Sequence, residues 1–439
     1  MTETGNNPWV ERFLPMPDQA EIKRRALLRP TPLKALHLLS TETARAQLNQ
    51  ALKVAFYPTT QCVRILQRWL DTALTHSSAN YSGHFDYFSR LHDKPEDITF
   101  KRGSLAMCLT GLGGVGKSSL ISAAKRVMPP LMKISSRDNL FVTLESCRIL
   151  PVKVLTNPND LLRKFTGCDS GSGNDLIDQC RYEAFKHGIS SVFADEFQFV
   201  SLSAGASATI TKMLLALNSL DIPFVYAANF KMLHTLKKRN QQELQRLVGD
   251  ITEFQPDLPD SHDWHETLAF LKEIYPEKFV FDPVGEAAFI HGLCAGLKRN
   301  LKRLLVNACL SAQGKGFVGV EELFKAFKGA DYASNRSDVL ALQQMTQEMR
   351  RKRTDLWNPF HGVDEIDEIL RRHGEERQLR FSEASLLAAM SKQERKEHAR
   401  TNGQVPGGDA GEKTKRSRTP LTAEELTKNM LQFRDALKK

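Results

Sequence analysis

From the N-terminus to about residue 80 the apolar positions fall at helical spacing. They run first through Ala35, Leu38 and Leu39, then through Val63, Leu66, Trp69, Leu70, Ala73 and Leu74, with prolines interrupting. From Ser104 the texture changes to short apolar runs alternating with helical stretches. Residues 104–110, 152–155, 190–194 and 223–227 read as buried strands, and the segments near 117–127, 174–187 and 208–220 as the helices between them. Strands separated by helices predict an α/β fold, a parallel sheet joined by right-handed crossovers. Beyond Trp264 the strand signal stops. Residues 265–275, 283–312 and 321–328 read as helices, which predicts a smaller all-α domain packed on the first.

The end of the chain has another character. Residues 391–420 hold eight Lys/Arg against four Asp/Glu and almost no large apolar side chain. Such a stretch is too polar to offset its ordering entropy and reads as a flexible basic linker. After it, Thr422-Ala-Glu-Glu425 forms a capping box that opens a short amphipathic helix with Leu426, Met430, Leu431 and Phe433. A helix this short is marginal alone, so it is expected to fold on a partner.

Composition narrows the class. With 439 residues, 41% apolar and 26% charged, the chain is long enough for two or three domains and is neither disordered throughout nor fibrous. No apolar run reaches membrane-spanning length and no secretory signal opens the sequence, so no membrane partner is expected. The seven cysteines include no C-x-x-C pair, which argues against a disulfide framework or zinc site and for a cytoplasmic location. The formal charge of +10 suits an anionic partner such as nucleic acid.

One motif carries specific chemistry. Gly111-Leu-Gly113-Gly114-Val115-Gly116-Lys117-Ser118 matches G-x-x-x-x-G-K-[ST] and sits between a strand and a helix, as a phosphate-binding loop requires. The glycines let backbone amides and the helix N-terminus face phosphate oxygens, with Val115 and Ser119 in the same turn. Lys117 is expected on the β- and γ-phosphates, and Ser118 on Mg²⁺. Asp195 and Glu196 end an apolar strand, where Asp195 would hold the metal and Glu196 would activate the attacking water. Asn229, at the end of the next strand, suits positioning of that water. Arg299, in the basic run Gly296-Leu-Lys-Arg299-Asn-Leu-Lys-Arg303, suits reaching back to the γ-phosphate. The tetrad His262-Asp-Trp-His265 reads as ordinary helix-start chemistry.

Taken in order, these motifs resemble an AAA+ ATPase. The segments Asp221-Ile-Pro-Phe-Val-Tyr-Ala-Ala-Asn229, Lys238-Arg-Asn-Gln-Gln-Glu-Leu-Gln-Arg246-Leu-Val-Gly-Asp250 and Pro256-Asp-Leu-Pro-Asp-Ser-His-Asp-Trp264 are similar to the TnsC/TniB transposition regulators. The similarity covers roughly residues 95–330. It implies a cytoplasmic, ATP- and Mg²⁺-dependent ATPase that assembles as a homo-oligomeric ring or filament on duplex DNA without sequence preference. Such a protein couples a target-selector protein to the transposase. By position, Asn229 corresponds to sensor 1, Arg299 to sensor 2, and Arg246, or else Arg239, to the arginine finger acting in trans. Lys153, Arg163 and Lys164 are the expected DNA contacts, through phosphates rather than bases. The expected organisation is a helical, partner-binding region 1–90, an AAA+ α/β core 91–262, an α-helical lid 263–335, a helical extension 336–390 and the basic tail 391–439. Another oligomeric AAA+ ATPase, a helicase loader or replication-initiation factor, shares every nucleotide motif. A small-molecule P-loop kinase shares only the loop. Trp357-Asn-Pro-Phe360 lies outside the similar segments and has no expected role.

Overall fold

A computed structural model describes residues 7–360 except 102–105, 137–139, 153–156, 196, 198–205, 313–315 and 345–351. The chain divides into two units at Ala388/Ala389, and the second, with the basic tail, lies outside the described residues.

Among the described residues, five α-helices precede the first strand: α1 (Pro8–Glu11), α2 (Gln19–Ala26), α3 (Thr41–Val54), α4 (Thr60–Asn80) and α5 (His84–Arg90). The α/β part then runs β1 (Met107–Thr110), α6 (Lys117–Val127), β2 (Met132–Ser135), β3 (Phe141–Leu144), β4 (Cys147–Pro151), α7 (Pro158–Thr166), α8 (Gly173–His187), β5 (Ser191–Asp195), α9 (Ala206–Asn218), β6 (Phe224–Ala227), α10 (Phe230–Leu236), α11 (Gln241–Leu247) and β7 (Asp250–Glu253). Helices α12 (His262–Lys272), α13 (Ala287–Cys294), α14 (Lys298–Ser311), α15 (Val320–Lys328) and α16 (Ala333–Gln343) build the lid.

The main sheet is parallel, in the order β4-β5-β6-β1-β7, and β2 with β3 forms a separate antiparallel hairpin. Alternate strand residues face opposite sides. Cys108, Val192, Ala194, Phe224 and Tyr226 pack with α7, α8, α9 and α10 on one face. Met107, Leu109, Phe193, Val225 and Ala227 pack with α2, α4 and α6 on the other. A third core belongs to the lid, where Trp264, Leu268, Ile290, Leu301 and Leu304 pack together.

The N-terminal helices are shared between these cores. Ile22 of α2 and Leu66 and Trp69 of α4 bury against the sheet, whereas Ala44, Leu48 and Leu52 of α3 bury in the lid. The backbone therefore passes from sheet to lid and back twice: out between α2 and α3, back at Ala55–Phe56, out again between Phe254 and Trp264, and back after α16. Asp263 braces one crossing, taking the Thr60 amide at 2.9 Å and so capping α4 from the lid. No helix among the described residues is long and apolar enough to cross a membrane.

The structure corrects several sequence expectations. The strand paired with β5 is β4, Cys147–Pro151, just before the expected 152–155, of which 153–155 lie outside the described residues. The run 283–312 is two helices rather than one. α13 ends at Cys294, and Ala295 and Gly296 follow it with φ of +54° and +66°. A side chain at Gly296 would put Cβ 2.6 Å from His291 Nε2 and 2.9 Å from the Asp257 carbonyl oxygen. Strand β7, the hairpin and helices α7, α10 and α11 add to the elements expected from the sequence.

Candidate functional site

Three chain segments reach the same edge of the sheet: β1 runs into 111–116, β5 ends in Asp195, and β6 is followed by Asn229. At β1 the topology switches, since the chain leaves it for β4 across the sheet and later returns as β7 on its other side. Ligand crevices in parallel sheets open at such carboxyl ends.

At two points of the loop both φ and space demand glycine. Gly111 has φ +142°, and an added Cβ would overlap the Phe254 carbonyl oxygen that follows β7. Gly114 has φ +88°, and its Cβ would lie 2.9 Å from Arg299 Cβ. The lid helix is that close because the Arg299 amide donates to the Gly114 carbonyl at 3.0 Å. Val115 buries its side chain beneath the loop.

Lys117 Nζ donates to the carbonyls of Gly111 (2.7 Å) and Leu112 (3.0 Å). Burial, reinforced by the charge of Arg299, pulls its pKa down to about 8. A phosphate would reverse that pressure by giving the ammonium a counter-charge. Ser118 Oγ donates to Asp195 Oδ1 at 3.0 Å, so a hydroxyl and a carboxylate oxygen converge at the C-terminal edge of β5. That hard oxygen pair fits Mg²⁺, which takes few protein ligands and completes its shell with phosphate and water.

Asn229 caps α10, its Oδ1 accepting from the Met232 amide at 2.9 Å. The cap fixes the rotation of the amide whose Nδ2 is the donor a water-positioning role requires. Gly113, Gly114, Gly116, Lys117, Ser118 and Ser119 line one cavity of about 740 Å³, and Asn229 and Arg299 share it. Its outer wall is a surprise from the sequence: Arg45, Asn49 and Lys53 of α3 face Lys298, Lys302 and Arg303 of α14. The basic run after Gly296 announced the second group, but nothing in residues 41–54 announced the first.

Two of the surrounding cations are individually anchored. Lys298 lies 3.4 Å from Asp257, whose carboxyl burial pushes up in pKa, and sits 5.3 Å over the Phe254 ring. Lys302 donates to the Ala55 carbonyl at 2.7 Å, and burial followed by the charge of Lys298 pulls it down to about 8. Beside them Phe56, Tyr57, Val115, Phe254, Phe270 and Leu271 enclose an apolar recess of about 30 Å³.

The other expected residues lie elsewhere. Arg246 is exposed on α11 and does not line the cavity, while Arg239 is partly buried. Arg163 and Lys164 sit on α7 rather than on a loop. Arg163 is held by Asp160 (3.4 Å) and the Gly171 carbonyl (3.0 Å), whereas Lys164 is exposed. Glu196 and Lys153 fall outside the described residues. The tetrad at 262–265 starts α12: Ser261 caps it, and Trp264 Nε1 donates to the Ala287 carbonyl at 3.0 Å.

No family model and no curated protein matches the sequence. Among solved structures, the chain is similar to the Aeropyrum pernix ORC1 protein in complex with DNA. That match has a TM-score of 0.36 and 15% identity over 74% of this chain and 90% of that one. It is similar to a structure described as the basis for katanin self-assembly, at TM-score 0.36 and 13% identity over 71% and 98%. NtrX from Brucella abortus in complex with ADP matches at 0.35 and 14% over 82% and 73%. Likenesses this distant add nothing to the sheet order and the loop. On those features the chain has the AAA+ P-loop NTPase fold, a parallel sheet flanked by helices with a small α-helical lid.

Proposed function

We propose that this chain binds and hydrolyses ATP with Mg²⁺ and acts as a transposition regulator of the TnsC/TniB kind, assembling on duplex DNA to couple a target selector to a transposase. The observation that carries the nucleotide part is the meeting of Lys117, the Ser118–Asp195 pair and Arg299 around one cavity. The triphosphate lies along 111–119, and the base enters the apolar recess between Tyr57 and Leu271, which at about 30 Å³ must widen to admit it. Ser118 and Asp195 would hold Mg²⁺, which would supply positive charge to neutralise the phosphates. Glu196 activates water, Asn229 orients it, and Arg299 stabilises the γ-phosphate.

The transposition part draws its support from the three similar segments. Asp257 holds Lys298 beside the cavity, and Asp263 caps α4, so two of their acidic residues serve the junction of sheet and lid. The exposed Arg246 is available to a neighbouring subunit, and the +10 charge suits DNA phosphates. Lys153, Arg163 and Lys164 remain the proposed contacts.

The test is nucleotide affinity and turnover measured separately, with and without DNA across a salt series. Lys117→Ala abolishes binding, whereas Glu196→Gln binds ATP and hydrolyses it slowly. DNA binding requires ATP, ignores sequence and weakens steeply with salt as counterions are released. Equal loss of affinity in both variants, or a flat salt response, would contradict the proposal. Capture of a replicative helicase in place of the transposase would favour the loader class.

A further inference from the structure

The motif Trp357-Asn-Pro-Phe360, left without a role by the sequence, forms the last crossing from lid to core. Its departure point is fixed. Arg353 Nη2 lies 2.7 Å from Asp338 of α16 and 2.9 Å from Asp355. The Trp357 ring then packs edge-on against His234 of α10, centroids 4.3 Å apart. Asn358 is buried at 4% exposure, and its Nδ2 donates to Glu253 Oε2 at 2.6 Å while its Oδ1 takes the Phe360 amide at 3.1 Å. Lys237, capping α10, donates to the Pro359 carbonyl and lies 5.6 Å over the Phe360 ring.

The landing points are the supports of the cavity. α10 is the helix that Asn229 caps. Glu253 ends β7 opposite Thr110, the residue before the loop. The next residue, Phe254, donates its amide to Thr110 O at 2.8 Å, and its carbonyl lies under Gly111. One short segment thus ties the lid's last helix to the structures behind both sides of the P-loop.

We infer that Trp357 and Asn358 are positioning residues, part of a strap over 353–360 that holds the lid against the core and sets the rate of nucleotide exchange. The inference rests on the nucleotide-binding reading above. A ligand between the loop, α3 and α14 touches both lid and core and is released faster when they separate, and that separation strains the strap. The Asn358–Glu253 bond is part-buried and charge-assisted, so it is the contact whose loss weighs most.

The experiment is stopped-flow release of fluorescent ATP and ADP analogues from the full chain. Asn358→Ala releases both analogues about tenfold faster, the scale of one charge-assisted hydrogen bond, and Trp357→Ala, losing its ring contact with His234, also speeds release, with association unchanged in both. Damage to the loop itself would slow association and fall chiefly on the triphosphate. Asn358→Asp sets two carboxylates together and also accelerates release. Adding Glu253→Gln to it restores the bond with donor and acceptor exchanged, and returns the rate to within about twofold of wild type. Should Trp357→Ala fail to fold, the volume-conserving pair still decides. Release at the wild-type rate from Asn358→Ala, or no recovery in the double variant, overturns the strap. Failure of the wild-type protein to bind either analogue removes the nucleotide reading and the strap's role together.

Discussion

Lys117 must be charged to hold phosphate, yet its surroundings oppose the charge until phosphate arrives. Its pKa of about 8 lies below the ordinary lysine value of 10.5 that the unfolded chain retains. Between those two values the unfolded chain binds more protons, so stability of the ligand-free protein rises with pH across that window, and the full penalty is present below it. Lys302 contributes in the same direction. Lys117→Met should therefore roughly halve the rise. It should also stabilise the free protein at pH 7 by on the order of 1 kcal/mol, after the two carbonyl bonds are set against desolvation. Thermal melts from pH 7 to 10, with and without ATP, check this; ATP should raise the wild-type Tm and leave the variant unmoved. At Asn229 two duties separate by substitution. Asn229→Ala loses the cap, about 1 kcal/mol, and also turnover. Asn229→Asp keeps an acceptor for the Met232 amide but lacks the NH₂ donor, so it should melt like wild type and hydrolyse poorly. An active Asn229→Asp protein would leave Asn229 with the cap alone.

At the scale of elements, the elbow between α13 and α14 aims Arg299 at the loop. Gly296→Ala forces a Cβ into His291 and the Asp257 carbonyl at a φ of +66°. The expected loss is more than about 1 kcal/mol of stability, together with weaker ATP binding as α14 shifts; melting curves and nucleotide titration measure the two. This elbow was hidden in the sequence because the apolar spacing continues through 284–312 without a proline, and an interior glycine does not by itself end a helix. β7 was hidden for the opposite reason. Asp250-Ile-Thr-Glu253 has a single large apolar residue, and it becomes a strand by pairing with β1. The loop, the strands carrying it and the helix α6 were legible because each is local, a motif flanked by its own strand and helix signals. The α3 wall of the cavity was not, since it depends on which distant helix those basic residues meet.

At the scale of the whole molecule, the exposed Arg246 lies away from the cavity of its own chain, so a complete site is expected only between subunits. ATPase activity per subunit should then rise with protein concentration. Arg246→Ala should bind ATP and lose roughly 10³-fold or more in turnover, the range of arginine fingers in other P-loop enzymes. Mixed with Glu196→Gln, it should regain part of that rate, because some interfaces pair an intact Glu196 with an intact Arg246. Steady-state assays over a mixing series decide it. Full activity in Arg246→Ala alone, or no recovery despite co-assembly, would move the finger elsewhere, with Arg239 as the next residue to test.

The repeated passage of the backbone between sheet and lid bears on how the molecule moves. A body attached by one flexible segment turns about a point and keeps three rotational freedoms. Attachment at separated places, here at 27–33, 55–56, 254–264 and the return after α16, removes most of them. Relative movement of the two is restricted accordingly. If copies of the chain assemble as proposed, a shift at the cavity would reach a neighbouring subunit as a displacement of sheet and lid together rather than of the lid alone.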